Sequence, residues 1–280
     1  MTLTRPRSEL PTVAGYRILK ALVAVGSAVI VTTLAAGPAT ATSVEASPPG
    51  SIEILSNPER IQPHPTTPKV WDRDQWVDRD AYAFGDLKWE GPAIPLPADP
   101  VKANQVLIIG DSITQHSAEL LKAQGEAAGI NGRVDAVGSR YIYDGIQALN
   151  RGIAPGATDG IPKTVVIALG TNGKNVPAWT RETLVDNMMA ALGPERNVIW
   201  INAYWSPKVC PTSHPEQFNS ILREKARSTR NLHVLDWAAE VQKSIDRQES
   251  IVDSASGIYP TEQGYKLRTE WTIASINKVR

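Results

Sequence analysis

From Gln105 onward the chain alternates short apolar runs with stretches whose apolar positions recur at helical spacing. The runs are VLIIG (106–110), RVDAV (133–137), TVVIALG (164–170), NVIWINA (197–203) and NLHVLDW (231–237). Between them lie SAELLKAQGEAAG, IYDGIQALNRG, TRETLVDNMMAALG and PEQFNSILREKARST, and a last helix is expected from Thr261 to about Asn277. Buried strands alternating with helices predict a parallel sheet covered on both faces, a three-layer α/β/α domain occupying 101–280.

The N-terminal portion has a different pattern. Arg5, Arg7, Arg17 and Lys20 precede the apolar run ALVAVGSAVIVTTLAA (21–36), which Gly37-Pro38 ends and the small-residue pattern Ala39-Thr40-Ala41 follows. This reads as a secretory signal cleaved after Ala41, or as an uncleaved membrane anchor; either places the body in the secreted fraction or on the outer face of the cytoplasmic membrane. Residues 42–100 hold ten prolines and little periodicity, as expected of a spacer. Within it, 71–90 gather Trp71, Trp76, Tyr82, Phe84 and Trp89 among alternating acids and bases. This patch is expected to pack on the following domain, with glycan contact as the alternative.

Composition narrows the function. Lys+Arg and Asp+Glu number 29 each, so the electrostatic footprint of a nucleic-acid binder is missing. A single cysteine, Cys210, and four scattered histidines give neither a disulfide nor a zinc spacing, and no GxGxxG or P-loop accompanies the sheet, so no cofactor is expected. His233, inside a strand, is expected in the core.

In an open parallel sheet, ligands bind beyond the carboxyl ends of the strands. There the sequence places Gly110-Asp111-Ser112, Gly138-Ser139-Arg140 and Gly170-Thr171-Asn172. A hydroxyl at a helix start, an unobstructed glycine N–H and an amide could surround one oxygen, the arrangement that stabilises the oxyanion of acyl transfer. Arg140 beside Gly138 is a candidate for holding an anionic or sugar substrate. Tyr141, Tyr143, Trp179, Tyr204 and Trp205 stand at strand ends or in loops and are candidates for stacking on a sugar ring.

Together VLIIGDSIT, VGSR, ALGTNG and SGIYPTEQGYKL resemble the four blocks of the SGNH or GDSL-type hydrolases over residues 104–278. Their spacing, with NLHVLDWAAEV, is most similar to the extracytoplasmic domains of peptidoglycan O-acetyltransferases. The resemblance implies a flavodoxin-like sheet, chemistry on small acyl esters of hydroxyl-bearing substrates, Ser112 as nucleophile, and an oxyanion hole from the Ser112 N–H, the Gly138 N–H and Asn172. The implied partners are an acylated carbohydrate or lipid-linked glycan of the cell envelope, or a protein, with membrane contact only through the N-terminal segment if it is uncleaved.

The fourth block departs from the family. Where D-x-x-H-P supplies orienter and base, this chain has Ser256 and Tyr259. A tyrosine phenol, with an ordinary pKa near 10, is a hydrogen-bond donor at neutral pH rather than a base. His214, His116 and Asp253 are the candidate substitutes. Two readings follow, an esterase or acyltransferase with an atypical base, and an inactive SGNH-like module that binds a ligand or a protein.

Overall fold

The computed structural model describes residues 52–54, 69–72, 75–78, 92–151, 160–173, 176, 178–208, 211 and 213–280. The segment read as a signal or anchor, and most of the 71–90 patch, lie outside them.

Six parallel strands form the sheet, in the order β1 (Ile52–Ile54), β5 (Gly132–Ala136), β4 (Val106–Gly110), β6 (Thr164–Ala168), β7 (Asn197–Ile201) and β8 (Leu232–Leu235). The five strands expected from the apolar runs are all present and in flavodoxin-like order: β4 matches its run, β5 is shifted by one residue, β6 and β7 are two residues shorter and β8 three. The sixth lies inside the segment read as a spacer. Its Ile52 is 1% exposed and fits because Gly125, on the neighbouring helix, has no β-carbon to collide with it. A separate antiparallel pair, β2 (Lys69–Asp72) and β3 (Gln75–Asp78), also falls in that segment.

The helices are α1 (Pro100–Ala103), α2 (Ser112–His116), α3 (Ala118–Ala127), α4 (Ile142–Arg151), α5 (Ala178–Leu192), α6 (His214–Ser228), α7 (Trp237–Asp246) and α8 (Glu262–Val279). The period-two pleat sorts strand residues between two cores. Leu107, Ile109, Val165, Ile167 and Trp200 face Ile146, Leu149, Met188 and Phe218 of α4, α5 and α6. Their neighbours Val106, Ile108, Val166, Ala168 and Ile199 face Leu121, Val241, Ile273 and Ile276 of α3, α7 and α8. Both faces being buried, the strands read as continuous apolar runs.

At the end of the sheet remote from the strand carboxyl termini, Arg196 is 2% exposed and donates to five main-chain carbonyls. Nε reaches Pro162 O at 3.2 Å, Nη1 reaches Ile94 O at 2.6 Å and Leu192 O, and Nη2 reaches Pro95 O at 2.9 Å and Ile161 O at 3.0 Å. One guanidinium thereby ties the chain before α1, the entry to β6 and the end of α5 together. Burial lowers its pKa to about 10, which leaves it charged at neutral pH.

Among the described residues no helix is long and apolar enough to cross a membrane, and no group of three or more His, Cys, Asp or Glu is placed to hold a metal ion.

Candidate active site

Strand register sets the site. Gly110 pairs with Ala136 on one side and Ala168 on the other, so β4, β5 and β6 end at one level. The strand order reverses between β4 and β6, the position where open α/β sheets form their ligand crevice. The loops leaving these ends carry Ser112, Gly138 and Asn172.

Asp111 builds the turn. It caps α2 by accepting from Ile113 N at 3.0 Å, and its other oxygen accepts from Asn172 Nδ2 at 3.4 Å. The carboxylate is 1% exposed; burial pushes its pKa up, opposed chiefly by the charge of Arg268 and then by backbone and side-chain donors. Asn172 Nδ2 also donates to Arg140 O at 3.1 Å, and Val137 N donates to Gly110 O at 3.1 Å, which closes the three loops on one another. Ser139 holds φ at 60°, a left-handed conformation rare outside glycine, in the loop that presents the Gly138 amide. The loops that carry Ser112, Gly138 and Asn172 are thus tied to one another at the strand ends.

Arg140 is a correction. It does not face the cleft; its side chain is fully buried, with Nη2 on Asp135 Oδ1 at 2.6 Å and Nη1 on Asp135 O at 2.7 Å. It locks the loop from inside, because an extended guanidinium beside a strand-end carboxylate lowers its energy more by pairing than by waiting for a ligand.

The fourth block sits on a loop stitched at its base. Val252 bridges Pro260, Asp253 N donates to Tyr259 O at 2.8 Å, and Thr261 N donates to Ile251 O at 3.0 Å. Gly264 on α8 lets that loop touch the helix, since a β-carbon there would run into the Ile251 carbonyl oxygen. Ser256 Oγ accepts from Tyr259 N at 3.1 Å, so it shapes the loop instead of orienting a base. Tyr259 then reaches Ser112, with Tyr259 OH and Ser112 Oγ 3.0 Å apart.

None of the three candidate bases hydrogen-bonds Ser112. The Asp253 carboxylate accepts from Ala255 N at 3.0 Å and Ser256 N at 3.1 Å, contacts that hold its pKa below the usual value. His116 lies against Tyr259, ring centroids 5.3 Å apart, and its Nδ1 is 3.2 Å from Tyr265 OH. Burial pushes the Tyr265 phenol up to about 12, against the opposing charge of Arg268, so it remains a donor at neutral pH. His214 is 3% exposed at the start of α6 and donates Nε2–H to Gly170 O at 3.1 Å. His233 is exposed and not in the core. Of the candidate stacking aromatics, Tyr141 is exposed, Tyr143 and Tyr204 are half-buried, Trp205 is buried against His214, and the Trp179 side chain lies outside the described residues.

Sequence reasoning passed over Tyr265 and Arg268, which stand one helical turn apart on α8. Arg268 is 6% exposed, and its Nε has no hydrogen-bond partner among the described residues. The i, i+3 spacing after the fourth block was the available signal.

Burial, and then the Arg181 charge, lower the His214 pKa to about 4 against the opposing bonds to the Gly170 and Thr171 backbone. A histidine depressed below its unfolded value contributes stability that is fully present above about pH 6.5 and is lost as pH falls toward about 4. At 1.36 kcal/mol per pKa unit, that contribution is about 3 kcal/mol. Melting temperature is expected to fall between these limits in the parent chain, and the fall should flatten in His214→Gln; equal slopes would refute the assignment.

No protein-family model matches the sequence, and no curated protein matches it. Solved structures do match the fold. The C-terminal catalytic domain of Streptococcus pneumoniae peptidoglycan O-acetyltransferase A, described with a methylsulfonyl adduct, is 20% identical with a TM-score of 0.51, covering 63% of this chain and 93% of that one. A lipase/acylhydrolase from Enterococcus faecalis is 20% identical with a TM-score of 0.53, covering 62% and 96%. A member of the lipolytic G-D-S-L family from Veillonella parvula is 18% identical with a TM-score of 0.53, covering 62% and 99%. The chain has the α/β fold of the SGNH hydrolases.

Proposed function

We propose that the chain is an exported SGNH-type acyl-ester hydrolase or O-acyltransferase acting on O-acyl groups of cell-envelope glycan or glycolipid. The observation that carries this reading is a serine at the switch point, tied through Asp111 to Asn172 and hydrogen-bonded at 3.0 Å to a side chain that can relay its proton. Likeness to the catalytic domain of a peptidoglycan O-acetyltransferase supports the envelope substrate, and the basic–apolar–small pattern of residues 1–41 supports export.

Ser112 Oγ attacks the acyl carbonyl, and the tetrahedral oxyanion is held by the Ser112 and Gly138 N–H groups and by Asn172 Nδ2, which exchanges its long 3.4 Å bond to Asp111 for the oxyanion. Ser112 gives its proton to the Tyr259 oxygen as Tyr259 gives its own to the departing alcohol, so the phenol is unchanged at the end of the step. Water or a second alcohol then takes the acyl group by the reverse relay. No cofactor enters.

A second reading, a binding module without turnover, is favoured by one observation: no imidazole or carboxylate among the described residues hydrogen-bonds Ser112. Turnover of p-nitrophenyl acetate by residues 42–280 beside Ser112→Ala decides between them. The proposal expects Ser112-dependent turnover, about 10³-fold or more above the variant. Equal rates, repeated with an acetylated glycan as donor, would select the binding module.

A further inference from the structure

Ser112 opens α2 and His116 closes it, about one helical turn later, so the two side chains share a face of the helix. Tyr259 lies across that face. Its hydroxyl stands 3.0 Å from Ser112 Oγ, and its ring packs against the His116 imidazole with centroids 5.3 Å apart and planes inclined by 36°. The imidazole is itself fixed from α8: its Nδ1 is 3.2 Å from Tyr265 OH, and the Tyr265 ring meets it edge-on with centroids 6.4 Å apart. Burial keeps the Tyr265 phenol protonated at neutral pH, and a phenol hydroxyl both donates and accepts, so this bond forms with either tautomer of the histidine. The helix that carries the nucleophile, the fourth-block loop and α8 thus meet at one exposed histidine.

The phenol requires such a support. Main-chain bonds at Asp253, Tyr259 and Thr261 fix the loop backbone but leave the side-chain torsions of Tyr259 free. A single bond between two hydroxyls exchanges readily with water and holds a half-buried ring weakly. Without the imidazole, the ring could swing into the space left behind and carry its oxygen off the line to Ser112 Oγ. A displacement of about 1 Å at a reacting group costs up to about 10²-fold in rate. Histidine combines the two requirements, a flat face for the phenol and a ring nitrogen for the anchor. We propose that His116 is a positioning residue for acyl transfer that acts through Tyr259: its imidazole, moored to α8 by Tyr265, is the wall that keeps the phenol on Ser112. The proposal rests on the acyl-transfer reading, in which Tyr259 relays the Ser112 proton.

The test uses the full chain with p-nitrophenyl acetate as donor. His116→Ala should lower kcat about 10- to 100-fold and leave KM within about twofold of the parent. His116→Phe, which keeps a flat ring at the position, should recover most of the loss. In the Tyr259→Phe background, His116→Ala should cost no more than about twofold, because the group it positions is already gone. A second readout needs no turnover. With ¹³Cζ-labelled tyrosine incorporated, and the Tyr259 signal identified by its loss in Tyr259→Phe, Ser112→Ala should move that signal in the parent. The movement should fall by about half or more when His116 is alanine. Because His116 is exposed, these variants leave the buried core as it is. An unchanged kcat in His116→Ala would overturn the proposal, as would an equally large loss in the Tyr259→Phe background. So would a Tyr259 response to Ser112→Ala that is the same with and without the imidazole. A parent without Ser112-dependent turnover, but with a Tyr259 response that depends on His116, would instead sink the acyl-transfer reading and leave the support of the phenol by His116 standing.

Discussion

Replacing Tyr259 by histidine is expected to raise Ser112-dependent turnover of p-nitrophenyl acetate by about 10²-fold or more, and replacing it by phenylalanine to lower turnover by about 10²- to 10⁴-fold. The phenol oxygen lies 3.0 Å from Ser112 Oγ, so the side chain at this position is the one aimed at the proton that must leave. A phenol relays that proton only if its own departs in the same motion, whereas an imidazole accepts it directly near neutral pH. The loop is held by main-chain bonds at Asp253, Tyr259 and Thr261 that do not depend on the phenol, so the ring can be exchanged without releasing its backbone. Ser256→Asp added to Tyr259→His should increase the gain by supplying an acceptor for the imidazole N–H. Turnover unaffected by both the histidine and the phenylalanine would show that the Ser112 proton leaves by another route.

Arg196→Met is expected to destabilise the domain by about 4 kcal/mol, because it removes one buried cation and leaves five carbonyl oxygens without their donor. For a domain of this size the melting temperature should drop by roughly 10 °C or more. Arg196→Lys should recover little, since one ammonium cannot reach carbonyls spread over three segments. Thermal unfolding of the three proteins measures this directly, and a melting temperature within a degree of the parent would mean that the bonds contribute no net stability. The site lies far from Ser112 in the topology, so turnover per folded molecule should be unchanged.

Much of the architecture was legible because it is local. Five strands and the helices between them follow from apolar runs and helical spacing, and Ser112, Gly138 and Asn172 follow from what terminates each strand. Local pattern was silent where a long-range contact defines the element. Ile52–Ile54 is three residues in a proline-rich stretch and becomes a strand only by pairing with Gly132–Val134. The apolar run ends at Trp237 and predicts no element over 238–246, yet Asp236 caps a helix there, Trp237–Asp246, by accepting from Ala239 N at 3.0 Å.

The same division runs through the site. The sequence by itself determined the order of strand ends, the identity of the three residues Ser112, Gly138 and Asn172 that follow those ends, and the serine and tyrosine at the fourth-block positions, since each is a matter of which residue follows which. Tertiary structure decided the partners: Tyr259 on Ser112 across 147 positions, Arg140 turned inward to Asp135, and His214 buried on Gly170. A long polar side chain at a loop can reach several partners within a few ångströms, and which one it takes depends on the desolvation it undergoes there, a quantity set by the packing of distant segments.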